Sequence, residues 1–237
     1  MWTTTPWTLP LNRAVVLNPT AVYSIVQGKE ANSAFIVAKE LAPKMCVMLG
    51  IPFIELAEAD SVVFQGKRVH HPFIDGATTP ILLDDMVSVT DGTACLHSAP
   101  GCGPEDYLFG VKNNLEIFSP LASNATYTKG ILPVELEGMH IVKGGKRVLE
   151  LLQEKGTLLH QTTVNHSYPH CWRCRNGLMF RATNQWFCDL QKNDLIPRTA
   201  QEIDGMKFVP ERGQARLCSF VTSRTEWCIS RQRQWGV

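Results

Sequence analysis

The stretch "GTACLHSAPGCGPEDYLFG", residues 92–110, reads as a strand, a tight turn and the first turns of a helix in direct succession. The strand carries His97 near its end. A Pro-Gly-x-Gly-Pro turn follows at 100–104, and Pro104 opens a helix whose first turn holds Glu105 and Asp106. Proline fits that position because the first helical N–H has no partner to lose, and acids there meet the positive end of the helix dipole. A histidine from a strand end and a carboxylate from a helix start are thereby aimed at one cleft. An ionised Asp106 suits a substrate ammonium, and a histidine can orient or donate to a hydroxyl. Taken alone, the same two residues read first as a helix-dipole acid and a satisfied strand histidine.

Upstream, "AVYSIVQ" (21–27) and "SAFIVA" (33–38) are rich in strand formers and flank the polar turn "GKEAN", which predicts two strands. "KELAPKMCVMLG" (39–50) predicts a helix stopped by Gly50, with Pro43 confined to its first turn. "VSVTDGTACLHSAP" (87–100) predicts two strands hinged at Asp91 and Gly92. "KRVLELLQEKG" (146–156) puts Val148, Leu149, Leu151 and Leu152 on helical spacing and stops at Gly156. Many short strands interrupted by helices predict an α+β fold, barrel-like in its strands, with peripheral helices. There is no fixed-period repeat, no signal-peptide pattern, and no apolar run near the ~20 residues that cross a bilayer.

Past residue 165 the character changes. "HSYPHCWRCRNG" is a compact Cys/His/Trp knot, "LMFRATNQWF" (178–187) predicts a strand, and the chain closes abruptly on the basic "SRQRQWGV". Residues 166–237 hold 11 Lys/Arg against 6 Asp/Glu, whereas residues 1–165 hold 12 against 16. A basic piece following an acidic one predicts two parts, 1–165 and 166–237. The eight cysteines are scattered except for Cys171 and Cys174. Without a secretion signal they read as reduced thiols in a cytoplasmic setting.

The opening "WTTTPWTLP" (2–10) crowds Thr3, Thr4, Thr5 and Thr8 around Trp2 and Trp7. In a strand, Thr3 and Thr5 face one side, Thr4 faces the other, and Thr8 lies beyond the break at Pro6. Such hydroxyls can serve a sugar, a phosphate or a carbonyl. The alternative is plain strand formers with their hydroxyls in water.

"WTTTPWTLPLNRAV", "GTACLHSAPGCGPEDY", "SYPHCWRC", "FRATNQWF" and "EWCISRQRQWGV", in that order along nearly the whole chain, resemble isoleucyl-tRNA synthetase. The related valyl and leucyl enzymes carry "TTRP"-type threonine motifs and lack the histidine of "LHSAP". The resemblance implies that residues 1–165 are the editing domain inserted in the class I catalytic core, and that 166–237 return toward that core. It implies post-transfer editing: an aminoacyl-tRNA ester hydrolase that deacylates Val-tRNA(Ile). A single missing methylene limits discrimination by a synthetic site to about 1–3 kcal/mol, a general limit for which the isoleucine–valine pair of this same family is the standing illustration. The implied partners are the 3′ acceptor end of tRNA(Ile) carrying valine and the rest of the synthetase, with no membrane. Neither ATP-binding signature of the class, HIGH-type or KMSKS-type, occurs, so no amino-acid activation is expected. A tRNA acceptor-end binding module without catalysis is the alternative of a different class.

Residue by residue, the resemblance assigns Asp106, His97 and Thr5 to catalysis and Thr3, Thr4, Thr8, Asn12 and Trp2 to substrate binding. Asp106 falls on the aspartate that grips the α-ammonium, and His97 on the histidine that limits pocket size. The ester is already activated, so a positioned water suffices, and no cofactor is implied for editing. Where the family commonly has a second histidine, in "PGHG", this chain has Cys102. Cys171 and Cys174 supply two of the four ligands that structural zinc wants. In the family this pair can meet a second CxxC, which this chain lacks. His166 and His170 lie close by in sequence, and the expectation is an incomplete half-site. The closing "SRQRQWG" reads alone as a nucleic-acid arm, and the resemblance assigns it to the synthetic core.

Overall fold

A computed structural model of the chain describes residues 1–30, 32–165 and 167–231. It divides into two compact units, Met1–Ala182 and Thr183–Val237. In the first unit the strands are β1 (Ala14–Leu17), β2 (Val22–Gln27), β3 (Ala34–Ala38), β4 (Glu55–Asp60), β5 (Arg68–His70), β6 (Thr78–Leu83) and β7 (Cys95–Ser98). Its α-helices are α1 (Ala42–Leu49), α2 (Pro104–Lys112) and α3 (Ile141–Glu154). The strand pair and the helix expected between residues 21 and 50 are in place, and Gly50 closes α1 at φ +65°. Ala31, in the turn between β2 and β3, lies outside the described residues.

The fold is α+β, as expected, but it contains no closed barrel among the described residues. β5, β6, β1 and β7 form one sheet in that order, with β1 parallel to β6 and antiparallel to β7. β3, β2 and β4 form a second, antiparallel sheet. Closure requires the outer strands to pair with one another, and here β5, β7, β3 and β4 each remain an edge. The sheets are joined instead by apolar packing: Val16, Tyr23, Val26 and Val37 are fully buried in one cluster. β1 is buried along its whole length, as befits a strand covered on both faces.

Three local expectations fail for identifiable reasons. The threonine-rich opening is not a strand. Pro6 starts a 3-10 helix, Pro6–Leu11, and Pro10 inside it has no N–H to extend an α-helical ladder. Trp2 forms only a lone bridge to Leu96. Residues 87–94 do not make the first arm of a hairpin, because Gly92 and Ala94 have φ of +64° and +53° and β7 pairs with β1 instead. Residues 178–186 form no strand. Within the first unit, Leu178 N donates to Pro169 O at 2.9 Å and Ala182 N to Gly101 O at 2.8 Å, and within the second Ile229 N donates to Trp186 O at 2.9 Å.

A second apolar cluster gathers Leu9, Leu11, Phe73, Ala99, Tyr127, Leu136, Val148 and Leu152. α3, which packs on the 3-10 helix, begins five residues earlier than its leucine pattern signals. Gly144 and Gly145 resemble helix breakers in sequence, yet here they are close-approach points. A Cβ on Gly144 would lie 2.4 Å from Tyr127 Cε2, and one on Gly145 would meet the Trp7 backbone at 3.6 Å. The Tyr127 hydroxyl donates to Trp7 O at 2.6 Å and so fixes the 3-10 helix from the same side.

In the second unit, β8 (Phe187–Asp189) pairs antiparallel with β9 (Glu226–Cys228), and α4 (Leu195–Gly205) contacts α5 (Arg212–Thr222). Residues 232–237, most of the basic close, lie outside the described residues.

Gly144→Ala sets two effects against each other. Alanine gains up to ~1 kcal/mol of helix propensity, whereas overpacking a ring contact costs ~1–3 kcal/mol. The 2.4 Å approach makes the second effect larger. The variant is expected to lose stability in urea denaturation; a variant at least as stable as the parent would show that Tyr127 yields freely.

Candidate functional site

The 3-10 helix carries Thr8 into the interior, and β7 carries His97 to meet it. Thr8 Oγ1 lies 2.7 Å from His97 Nε2, and Asn12 Nδ2 lies 3.2 Å from His97 Nδ1. Asn12 Nδ2 also donates to Ala14 O at 2.8 Å, so the amide nitrogen, not its oxygen, faces the ring. His97 Nδ1 therefore accepts, and Nε2 carries the proton. Thr8 commits its own hydroxyl proton to Thr5 O at 2.8 Å, which leaves its lone pair to accept from His97. The imidazole is buried. Burial first, then the positive N-terminus and His71, hold its pKa down to about 4. Neutral His97 thus has both nitrogens engaged and no lone pair left for a water proton.

The same proton count orders the outer hydroxyls. Thr8 has no second proton to give, so Thr5 donates across their 3.3 Å contact. Thr3 in turn donates to Thr5 Oγ1 at 3.3 Å, and Thr5 N donates to Thr3 Oγ1 at 3.0 Å. Hydroxyl pairs are best near about 2.8 Å, so the two 3.3 Å links are weak. Thr8, Asn12 and His97 form a buried, locked group. Thr3 and Thr5 are half-buried and weakly held, and Thr4 is exposed. Trp2, partly exposed, covers the turn at Gly92, where an added Cβ would meet its ring at 3.0 Å.

Asp106 sits in the first turn of α2, and its carboxyl folds back toward Gly103, where an added Cβ would lie 3.5 Å from Oδ2. Burial raises its pKa above the ordinary carboxylate value, Ser98 and the Ala99 amide pull it down, and Glu105 raises it again. Asp106 Oδ1 and Ser98 Oγ are nevertheless both buried without a hydrogen-bond partner. Ser98, which acts on the Asp106 carboxyl, directly follows His97 in β7. Cys102 stands beside this carboxyl, and burial together with Asp106 pushes its thiol up to about 12, which keeps it protonated.

Sequence reasoning missed His71 and Tyr127. Tyr127 reveals itself only through its long-range bond to Trp7 O. His71 is buried, and burial, Arg13 and Lys155 lower its pKa to about 4. Nothing in "HHPF" marks it as different from the exposed His70 beside it.

Cys171 and Cys174 flank a tight turn in which Cys171 N donates to Asn176 O and Arg175 N to Cys171 O, both at 2.8 Å. His170 Nδ1 is bonded to Tyr168 O at 2.8 Å, and His166 lies outside the described residues. Among the described residues no group of three or more His, Cys, Asp or Glu is placed to hold a metal. Cys171 and Cys174 are two thiols of the four ligands that structural zinc takes.

Comparison with known proteins gives a consistent result. A family model described as tRNA synthetases class I (I, L, M and V) matches residues 24–237. Isoleucine–tRNA ligases match the whole chain, with 42% identity over 240 residues in Pseudoalteromonas atlantica, 39% over 238 in Erwinia tasmaniensis and 42% over 238 in Thermotoga neapolitana. The chain spans about a quarter of the length of these relatives, 25%, 25% and 26% respectively. Two solved structures share the fold. GlLeuRS-CP1 has a TM-score of 0.53 at 15% identity, covering 70% of this chain and 82% of its own. The P. knowlesi cytosolic leucyl-tRNA synthetase editing domain has a TM-score of 0.50 at 13% identity, covering 65% and 80%. No helix is long and apolar enough to cross a membrane among the described residues.

The depressed histidines predict a pH dependence. Unfolded, each titrates near 6.5; folded, near 4. Between those values the unfolded chain binds more protons, so stability is intact above pH 6.5 and falls as pH drops toward 4. The slope is at most ~1.4 kcal/mol per pH unit for each histidine. Urea midpoints at pH 7, 6 and 5 should decrease, less steeply in His97→Gln; midpoints that do not move would contradict the buried neutral imidazoles.

Proposed function

The chain belongs to the class I tRNA synthetases, and from that premise we propose that it edits for isoleucyl-tRNA synthetase by hydrolysing valine esterified to tRNA(Ile). The observation that carries this reading is the division of the site into a locked group, Thr8, Asn12 and His97, and a weakly held rim of hydroxyls at Thr3 and Thr5. A pocket that rejects one side chain for being too large needs a wall that does not yield. A pocket that holds a ribose and an ester needs hydroxyls that can be re-aimed.

In this mechanism Asp106 takes the α-ammonium of the aminoacyl group, which supplies the partner its buried Oδ1 lacks. Thr3, Thr4 and Thr5 hold the ribose and the ester, and Trp2 closes the outer edge. A water adds to the ester carbonyl carbon, the bond from that carbon to the ribose oxygen breaks, and that oxygen takes up the proton as valine leaves. His97 serves as the wall and not as the base, because both ring nitrogens are already engaged. Fixing the ammonium and the ester together accounts for the rate chiefly through orientation and preorganised dipoles. Rejecting isoleucine by bulk is sharper than recognising valine by a missing methylene. The tRNA and the remainder of the synthetase are the proposed partners.

Incubation with Val-tRNA(Ile) and Ile-tRNA(Ile) tests the reading. Valine is expected to be released above background while isoleucine is retained; release of neither at high protein concentration leaves a non-catalytic binding module. Asp106→Ala removes a charge-assisted contact of ~1.5–3 kcal/mol, so deacylation should fall at least tenfold. The fold should persist, since an acid at a helix start contributes only ~0.3–1 kcal/mol. An unchanged rate in a folded variant would remove Asp106 from the site.

His97→Ala takes away the wall, and Ile-tRNA(Ile) should then be hydrolysed as well. A variant that still spares isoleucine while clearing valine would place the wall elsewhere.

A further inference from the structure

Two buried atoms near His97 are complementary in what they lack. Asn12 uses both amide protons, on Ala14 O and His97 Nδ1, but its Oδ1 is buried without a donor. His71 uses Nδ1, which accepts from Phe73 N at 3.2 Å, so its proton sits on Nε2. His71 Nε2 is likewise buried, without an acceptor. One residue is short of a donor and the other of an acceptor, and a buried polar group left unserved is costly.

The packing brings the two side chains to the same part of the molecule. Leu11, next to Asn12, and Phe73, two residues from His71, belong to one apolar cluster. Arg13, on the other side of Asn12, acts electrostatically on His71, and His71 acts on His97. Lys155 Nζ donates to Pro72 O at 3.1 Å and ties the His71 segment to the end of α3.

We propose that His71 is a positioning residue for the editing site, its Nε2–H serving Asn12 Oδ1 across one buried water. Asn12, so held, keeps its amide nitrogen toward His97 Nδ1. His97 then keeps its proton on Nε2 and its bond to Thr8. The chain of positions runs from His71 through Asn12 and His97 to the threonines, and it gives the second buried histidine a role. Gaps wider than a direct hydrogen bond between buried polar groups are commonly closed by an ordered water.

The inference rests on the editing reading for its effect on rate, but not for its structural content. His71 has a second, local role, because Nδ1 accepts from Phe73 N two residues on, a contact that asparagine also makes well. The two roles separate by substitution. His71→Asn keeps the local acceptor and loses the distant donor, whereas His71→Gln keeps a donor near the Nε2 position and loses the local acceptor. The measurement is the tautomer of His97 in the 237-residue chain, read from imidazole nitrogen shifts with labelled histidine at pH 7.5. The expected result is a pure Nε2–H form in the parent and in His71→Gln, and a mixture of tautomers in His71→Asn.

Val-tRNA(Ile) deacylation should fall at least fivefold in His71→Asn and at most twofold in His71→Gln. The His71→Asn loss should disappear in an Asn12→Ala background, where there is no amide left to hold. A pure Nε2–H tautomer in His71→Asn would overturn the proposal, as would an equal loss from both substitutions. A parent chain that shows the tautomer pattern but no hydrolysis would sink the editing reading and leave the positioning role standing.

Discussion

The first unit depends on a neutral imidazole buried where two apolar clusters meet. The 3-10 helix and β1 run from one cluster, at Leu9 and Leu11, into the other, at Ala14 and Val16. β7 and the turn after it make the same passage in reverse, from Cys95 to Ala99. His97 lies at this crossing, bonded to Thr8 on one side and to Asn12 on the other. Charging it would cost its desolvation and would also leave Asn12 offering a proton to a proton. The fold therefore demands that His97 be neutral and fixed, and a fixed ring is what a size-selective wall requires. The structural role and the proposed functional one call for the same protonation state.

The order of the hydroxyls follows from this constraint. Because His97 donates, Thr8 must accept, and because Thr8 gives its only proton to Thr5 O, Thr5 must donate inward. Strength declines along the row, from 2.7 Å at His97 to 3.3 Å between Thr5 and Thr8 and again between Thr3 and Thr5. Rigidity is thus greatest at the wall and least at the rim. The helix behind the row is braced separately, by the Tyr127 hydroxyl on Trp7 O and by the two glycines of α3 that let Tyr127 and Trp7 come close.

What the sequence made legible were features whose cause is local. Pro104 before two acids marks the start of α2, and Gly50 marks the end of α1. The quoted motifs identify the family without any knowledge of contacts. What stayed hidden has non-local causes. Three threonines in a row favour a strand on propensity, but the prolines at positions 6 and 10 and the pull of Thr8 into the core produce a 3-10 helix. Gly144 and Gly145 look like a break until the Tyr127 ring and the Trp7 backbone are placed against them. A barrel is the natural reading of many short strands, and only the pairing of β7 with β1 and the unpaired outer strands exclude it among the described residues. Asn12 was legible as polar and near the threonines, whereas its position behind the ring, bonded to Nδ1, depends on two segments 85 residues apart.

Asp106 shows the opposite economy from His97. The histidine is fully satisfied and therefore inert, while the carboxyl is buried with one oxygen unserved. The start of α2 offsets part of that cost, but a helix terminus contributes only ~0.3–1 kcal/mol, less than an unpartnered buried charge requires. The raised pKa of Asp106 expresses the remainder: the ionised form is penalised until a cation arrives. On the editing reading, an α-ammonium relieves that penalty on binding, so the contact gains more than the same pair would at the surface. A deacylated tRNA end brings no ammonium and leaves the carboxyl as it was. The site would then hold an aminoacylated end in preference to the free tRNA end that hydrolysis produces, while the cleaved valine keeps its ammonium and with it the contact to the carboxyl.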